Sequence, residues 1–149
     1  VPIKEGRADA VFGSRMMIPS HAREGGMPYW KYLANISLTK FENTILGLEL
    51  TEYHSGFRAY SARALSSIPL HKNSNNFVFD TEIIVQLKMG GFKIKEVPIK
   101  TRYFPEASSV GFLKSCQYGL SIMGVMAKYL FHRIGIKKYP GFVVKSETI

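Results

Sequence analysis

A chain of 149 residues, 46% hydrophobic and 21% charged, is long enough to bury a core and too apolar to be disordered. Its net charge of +9 calls for an anionic partner, which a phosphate ligand, a nucleic acid or a membrane surface would equally supply. The single cysteine, Cys116, excludes an internal disulfide and a cysteine-based zinc cluster, and it fits a reducing compartment.

The first ten residues, VPIKEGRADA, lack the apolar segment of a signal peptide. No apolar run reaches the roughly 18 residues needed to cross a bilayer, so a soluble or surface-lying chain is expected. KEGR reads as a helix end stopped by Gly6, and ADAVFGSR, residues 8–15, reads as a buried strand ending in a Gly-Ser turn. A helix tail followed at once by a core strand predicts a start inside a larger domain. PSHAREGGMP, residues 19–28, is predicted as a loop punctuated by Gly25, Gly26 and Pro28. A helix is expected from Pro28 to Leu46, with Trp30, Leu33, Ala34, Leu38, Phe41 and Ile45 on an apolar face. Lys31, Asn35 and Thr39 align on a second, polar face.

The stretch EYHSGFRAYS, residues 52–61, follows Gly47. Within it Phe57–Tyr60 forms a plausible short strand, and Ser61 is a good N-cap for the helix ARALSSI, which ends before Pro69. After the polar loop HKNSNN, a helix is expected from about Asp80 to Gly90 and Gly91. FKIKEVPIK, residues 92–100, alternates apolar and charged residues, the pattern of a half-exposed strand near a sheet edge where Pro98 is tolerated. From Ser109 a helix of about 25 residues carries a polar stripe of Lys114, Gln117, Ser121, Lys128 and His132 on an otherwise apolar surface. It either packs on the body of the domain or lies amphipathically in a membrane interface, helped by Arg133, Lys137 and Lys138.

Alternating strands and helices imply an open α/β sheet, in which ligands bind beyond the carboxyl ends of the strands. Arg15 sits at such an end, after Gly13 and Ser14, where backbone N–H groups can approach an anion. Its bland alternative is an ion pair with a nearby carboxylate. Lys31 and Asn35, one turn apart, would hold the same anion by charge and hydrogen bonding. The only aspartates are Asp9 and Asp80, so no Asp-x-Asp pair exists, and the four histidines are scattered without metal-ligand spacing. No metal site is expected from this chain alone.

ADAVFGSR, GGMPYWKYLAN, HSGFRAYSARAL, FDTEIIVQL and GFKIKEVPI occur in the order found in family 2 glycosyltransferases, and the chain resembles their polyprenyl-phosphate (dolichyl-phosphate mannose synthase-like) branch from Ala8 to Arg102. The resemblance implies a GT-A fold, with residues 1–108 as the acceptor-side half of the domain and 109–149 as an amphipathic helix and basic tail. It implies transfer of a sugar from a nucleotide-sugar donor to a lipid phosphate, with the enzyme peripheral at the cytoplasmic membrane face. The donor half, with its divalent metal (Mg or Mn), is expected to lie elsewhere, so this chain by itself is expected to be inactive.

Carried over by position, Arg15, in the family's Gly-Ser-Arg turn with Ser14, is expected to face the acceptor phosphate. Lys31 stands where many members have Arg, and Asn35 where some have Ser. Ser55, Gly56 and Arg58 match the family's Ser-Gly-Phe loop beside the reaction centre; Arg58 either works there or pairs with Asp80 or Glu82. His54 and Glu52 are candidates for sugar hydrogen bonds. A phosphate monoester is largely dianionic near neutral pH, its second pKa being about 6, and attacks without a general base. Were the acceptor instead a hydroxyl, as in polysaccharide or glycolipid synthesis, a base would be needed, with Asp80 the leading candidate and Glu82 behind it. The dispersed charges and the lack of a reading element argue against nucleic acid as a partner.

Overall fold

The computed structural model describes residues 2–102 and 111–144. The expected boundary between residues 108 and 109 lies outside the described residues. Three strands form one small mixed sheet in the order β2-β1-β3. β1 (Ala10–Ser14) is central and fully buried. It pairs antiparallel with β2 (Arg58–Tyr60), setting Ala10 opposite Tyr60, and parallel with β3 (Ile94–Pro98), setting Ala10 opposite Ile94. β3 is half-exposed and pairs on one side only among the described residues, as its alternating sequence predicts.

Among the described residues five α-helices accompany the sheet. α1 (Pro19–Glu24) occupies the stretch expected as a loop: Pro19 at the first helical position fixes φ, and Ala22 is buried without exposure. Gly25 and Gly26 follow the helix rather than punctuating a loop. Gly25 is required for space, since a Cβ there would lie 2.2 Å from the Thr101 carbonyl oxygen. KEGR, expected as a helix end, is a turn closed by Gly6 N donating to Ile3 O at 3.0 Å.

α2 (Tyr29–Leu46) ends at Gly47, whose φ of 61° is left-handed and whose N–H caps the Asn43 carbonyl. α3 (Ala62–Ser67) starts at Ser61, whose Oγ accepts from Ala64 N as a helix cap. α4 (Phe79–Met89) and α5 (Phe112–Arg133) complete the set. The core runs continuously from Phe12 on β1 through Leu46 on α2 and Ile84 and Leu87 on α4 to Ile122, Val125, Met126 and Tyr129 on α5. α5 therefore packs on the body of the domain. His132, expected on its polar stripe, is buried instead: its Nδ1 accepts from Tyr139 N at 2.9 Å, and its ring meets Phe142 edge-on.

Two helices depart from a simple inside–outside division. On α2 the polar row turns inward: Asn35, Thr39 and Glu42 are buried, while Trp30 and Leu33 from the apolar face stand exposed. On α5, Lys114, Gln117 and Lys128 are exposed, and so are Leu113, Leu120, Met123 and Phe131, with Ile134 exposed just past its end. An amphipathic helix docked on a core normally buries its apolar face and exposes its polar one.

Candidate functional site

The carboxyl end of β1 and the 51–57 loop are fastened together by a dense polar network. Ser14 is fully buried; its Oγ lies 2.7 Å from Thr51 Oγ1 and accepts from Met16 N and Met17 N, so it shapes the turn after the strand. Glu96 on β3 accepts from Thr51 N at 2.7 Å, Thr51 Oγ1 at 2.9 Å and Glu52 N at 3.0 Å. Burial raises the Glu96 carboxyl above its ordinary pKa, against the pull of those same donors.

Glu52, 1% exposed, is the centre of this network. It accepts from Arg15 N at 2.7 Å, from Arg15 Nε at 2.8 Å, from Arg15 Nη2, and from Asn35 Nδ2 at 2.9 Å. Glu52 thus aims Arg15 and Asn35 and is itself engaged by both. Arg15 makes the carboxylate pair that its bland reading anticipated. Its side chain is 16% exposed, so the guanidinium still borders open space.

Arg15 stands between two hollows. One, of about 290 Å³, is lined by Arg15, Lys31, Asn35, His54, Ser115 and Tyr118, with Met27, Trp30, Ala34 and Leu38 as its apolar part. The other, of about 390 Å³, is lined by Arg15, Ser55, Gly56, Phe57, Ile99, Lys100 and Thr101. The expected site residues are thereby brought to one region, with Lys31, Asn35 and His54 on one side of Arg15 and Ser55 and Gly56 on the other. Gly56 is not in the left-handed region, and a Cβ there would meet nothing within 4 Å. Gly13 matters through close approach: a Cβ on it would lie 2.8 Å from Ile99 Cγ2 and 2.9 Å from Phe57 Cδ1, both at the second hollow.

Arg58, Asp80 and Glu82 line neither hollow. The Arg58 guanidinium donates to the backbone carbonyls of Tyr53, Ser55 and Asp80, stacks 4.8 Å from the Phe12 ring centroid, and lies 3.7 Å from Asp80 Oδ1. It clamps the 53–55 loop to α4. Asp80 keeps a 43% exposed side chain beside Arg58, and Glu82 accepts from Ser74 N at 2.7 Å and Ser74 Oγ at 2.9 Å, holding the loop ahead of α4. Ser55 Oγ accepts from Phe57 N at 3.2 Å, within its own turn.

Sequence reasoning missed Glu42 and Tyr118. Glu42, fully buried, places Oε2 3.3 Å from His54 Nε2, and His54 Nδ1 lies 3.2 Å from Tyr118 Oη. Burial raises the Glu42 carboxyl to about 8, opposed by the Arg58 charge, and lowers His54 to about 4. Burial, with the Glu42 charge adding to it, raises Tyr118 to about 12. The signal for Glu42 was present: it extends the row Lys31, Asn35, Thr39 by three residues along α2. Among the described residues no group of three or more His, Cys, Asp or Glu side chains is arranged to hold a metal ion.

No family model matches the chain, and no solved structure matches it significantly. Over 103 residues it is 35% identical to the uncharacterized protein MJ1222 of Methanocaldococcus jannaschii, a match covering 69% of this chain and 42% of that protein. It is 29% identical over 148 aligned residues to the low-salt glycan biosynthesis hexosyltransferase Agl6 of Haloferax volcanii, covering 86% of this chain and 35% of the relative. It is 30% identical over 102 residues to the UDP-N-acetylglucosamine–dolichyl-phosphate N-acetylglucosaminyltransferase of Methanococcus voltae, covering 68% and 40%. The chain spans about two fifths of the length of these relatives. By these matches, it is a homologue of glycosyltransferases.

Proposed function

We propose that the chain is the acceptor-side part of a family 2 glycosyltransferase with a GT-A fold, whose parent transfers a sugar from a nucleotide-sugar donor to a polyprenyl-type phosphate at a membrane surface. The observation that carries the reading is the make-up of the hollow between α2 and α5. It joins the Arg15 guanidinium, the Lys31 ammonium and the Asn35 amide to an apolar wall of Met27, Trp30 and Leu38. A phosphate on a hydrocarbon chain asks for that combination, and the dolichyl phosphate in one relative's name points the same way. In this reading Arg15 and Lys31 offset the charge of the acceptor, and Glu52 fixes Arg15 in line. A phosphate dianion is already nucleophilic, so no general base is assigned. The donor nucleotide and the divalent cation that would balance its diphosphate are assigned to the rest of the parent.

The test uses the intact parent with a short polyprenyl phosphate as acceptor. Lys31→Met removes one charge-assisted contact, worth about 1.5–3 kcal/mol, and is expected to raise KM for the acceptor about tenfold or more while the fold persists. Unchanged acceptor kinetics would overturn the assignment. The hydroxyl-acceptor reading rests on Asp80 as base, and the placement of Asp80 against Arg58, outside both hollows, gives it no support.

A further inference from the structure

Behind the hollow, three polar side chains from three separate elements form a chain. Glu42 comes from α2, His54 from the 51–57 loop and Tyr118 from α5, with successive separations of 3.3 and 3.2 Å. His54 and Tyr118 line the hollow, and their rings meet edge-on at 5.7 Å. Neither Glu42 oxygen nor His54 Nε2 has a hydrogen bond of ordinary geometry, although all three atoms are buried, and the 3.3 Å approach of Oε2 to Nε2 is the polar contact between them. Such groups are costly to leave unsatisfied, and the imidazole edge is the polar group beside them.

A neutral imidazole has two nitrogens and one proton, so the bond on one side dictates the bond on the other. With Glu42 protonated, its O–H donates to Nε2, Nδ1–H donates to Tyr118 Oη, and the tyrosine O–H is left to donate elsewhere, to an oxyanion in the hollow or, when the hollow is empty, to Thr81 Oγ1. With Glu42 ionised, Nε2–H donates to the carboxylate, Nδ1 accepts the tyrosine O–H, and Tyr118 presents only lone pairs. Between the two states the carboxyl proton passes to Nε2, the Nδ1 proton is released to solvent, and the hydroxyl rotates. We propose that Glu42, acting through His54, sets the direction of the Tyr118 hydroxyl, so that the hollow offers an oxyanion a further donor only while the buried carboxyl holds its proton. Glu42 and His54 are positioning residues here, and Tyr118 is the contact. The proposal rests on reading the hollow as an oxyanion site.

The surroundings favour the uncharged pair. Burial disfavours both the carboxylate and the imidazolium. Arg58 on β2 pulls Glu42 toward ionisation; Arg58 and Arg15 oppose a charged His54, while Glu52 favours it. From α4, Asp80 raises Tyr118 further, and the Thr81 side chain lowers it as a hydrogen-bond partner of the same hydroxyl; Tyr53 lies within the reach of the Glu42 charge.

Sulfate serves as the probe because its charge stays constant between about pH 7 and pH 9, across the Glu42 value of about 8. The full chain is expected to bind sulfate at about pH 7 and to weaken about tenfold by about pH 9, as befits one lost charge-assisted donor. Glu42→Gln keeps a donor that cannot ionise, and its binding should be flat across that range. Tyr118→Phe should bind several-fold more weakly at the lower pH, with no further fall. Should Glu42→Gln fail to fold, the infrared carbonyl band of a protonated carboxylic acid in the unaltered chain gives the same information, present at about pH 7 and lost by about pH 9. Sulfate binding that is flat with pH, or equal in Tyr118→Phe, overturns the proposal and leaves the oxyanion site standing. A chain that binds no sulfate at either pH overturns the oxyanion site itself.

Discussion

Glu52 and Glu42, 1% exposed and fully buried respectively, meet their burial in opposite ways. Glu52 is surrounded by donors, three from Arg15 and one from Asn35, and serves as the anchor for a cation. Arg15→Ala would leave that charge buried and uncompensated, at a cost of about 3–5 kcal/mol. A urea titration of this variant should show a large drop in stability, whereas Glu52→Gln with Arg15→Ala should recover part of it. Loss of activity in Arg15→Ala alone is therefore poor evidence for acceptor binding, which is why Lys31 makes the cleaner test. Glu42, facing one imidazole, keeps its proton, and that has a thermodynamic signature. Its folded pKa of about 8 exceeds the ordinary 4.5, so the unfolded chain loses the proton first and stability falls as pH rises between those values. His54, lowered from 6.5 to about 4, works the other way, adding stability as pH rises through that interval. The two contributions cancel up to about pH 6.5, and above it Glu42 acts alone. Stability should then fall by about 1.4 kcal/mol per pH unit up to about pH 8. Unfolding midpoints followed from pH 6 to 9 should show this decline in the unaltered chain and not in Glu42→Gln.

Among the elements, those whose signals are local match the sequence reading well. Ser61 caps α3, Gly47 stops α2, and the charge alternation of β3 identifies a half-exposed strand, at the sheet edge among the described residues, because each depends on residues within one turn or one strand. α1 escaped because its six residues are too few to show a helical period, and Gly25–Gly26 drew attention to the turn after it. The inward-facing polar row of α2 escaped for a deeper reason. Periodicity gives two faces but not which one meets the core; that is settled by Glu52, Tyr53 and His54, brought in by the sheet. Likewise Arg15 and the 55–58 loop are visible as motifs, while the His54–Tyr118 contact spans 64 residues and only the docking of α5 creates it. Gly13 shows how tightly the elements constrain one another. Ile99, just beyond β3, and Phe57, just before β2, close over the position where its side chain would be. Gly13→Ala is expected to cost about 1–3 kcal/mol through displacement of those two residues. Thermal unfolding should register the loss, and Gly56→Ala, with open space at the Cβ and no left-handed φ, should lie within about 0.5 kcal/mol of the unaltered chain.

At the scale of the molecule, the described residues leave an apolar surface uncovered. On α5 an open strip holds Leu113 at 83%, Leu120 at 68% and Phe131 at 44% exposure. Trp30, packed edge-on against Phe112 at 5.6 Å, joins this strip to the exposed Tyr29 and Leu33 of α2. Lys114 and Lys128 flank it, and Arg133, Lys137 and Lys138 follow it. No helix among the described residues is long and apolar enough to cross a membrane. The arrangement suits a helix lying in the interface, with its other face buried in the protein and its cations toward anionic headgroups. It also sets the mouth of the hollow, with Trp30 and Ser115 in its lining, beside that surface, where a lipid phosphate would be presented. The chain is accordingly expected to sediment with vesicles containing anionic lipid and to bind neutral vesicles less. Each buried large side chain contributes about 1.5–3 kcal/mol, so Leu120→Glu combined with Phe131→Glu should weaken partitioning by well over tenfold. Salt should weaken it only in part, because screening removes the headgroup attraction and leaves the apolar contact. Were the doubly substituted chain to sediment as well as the unaltered one, the α5 strip would not be the membrane face, and binding fully abolished by salt would assign the contact to the basic residues alone.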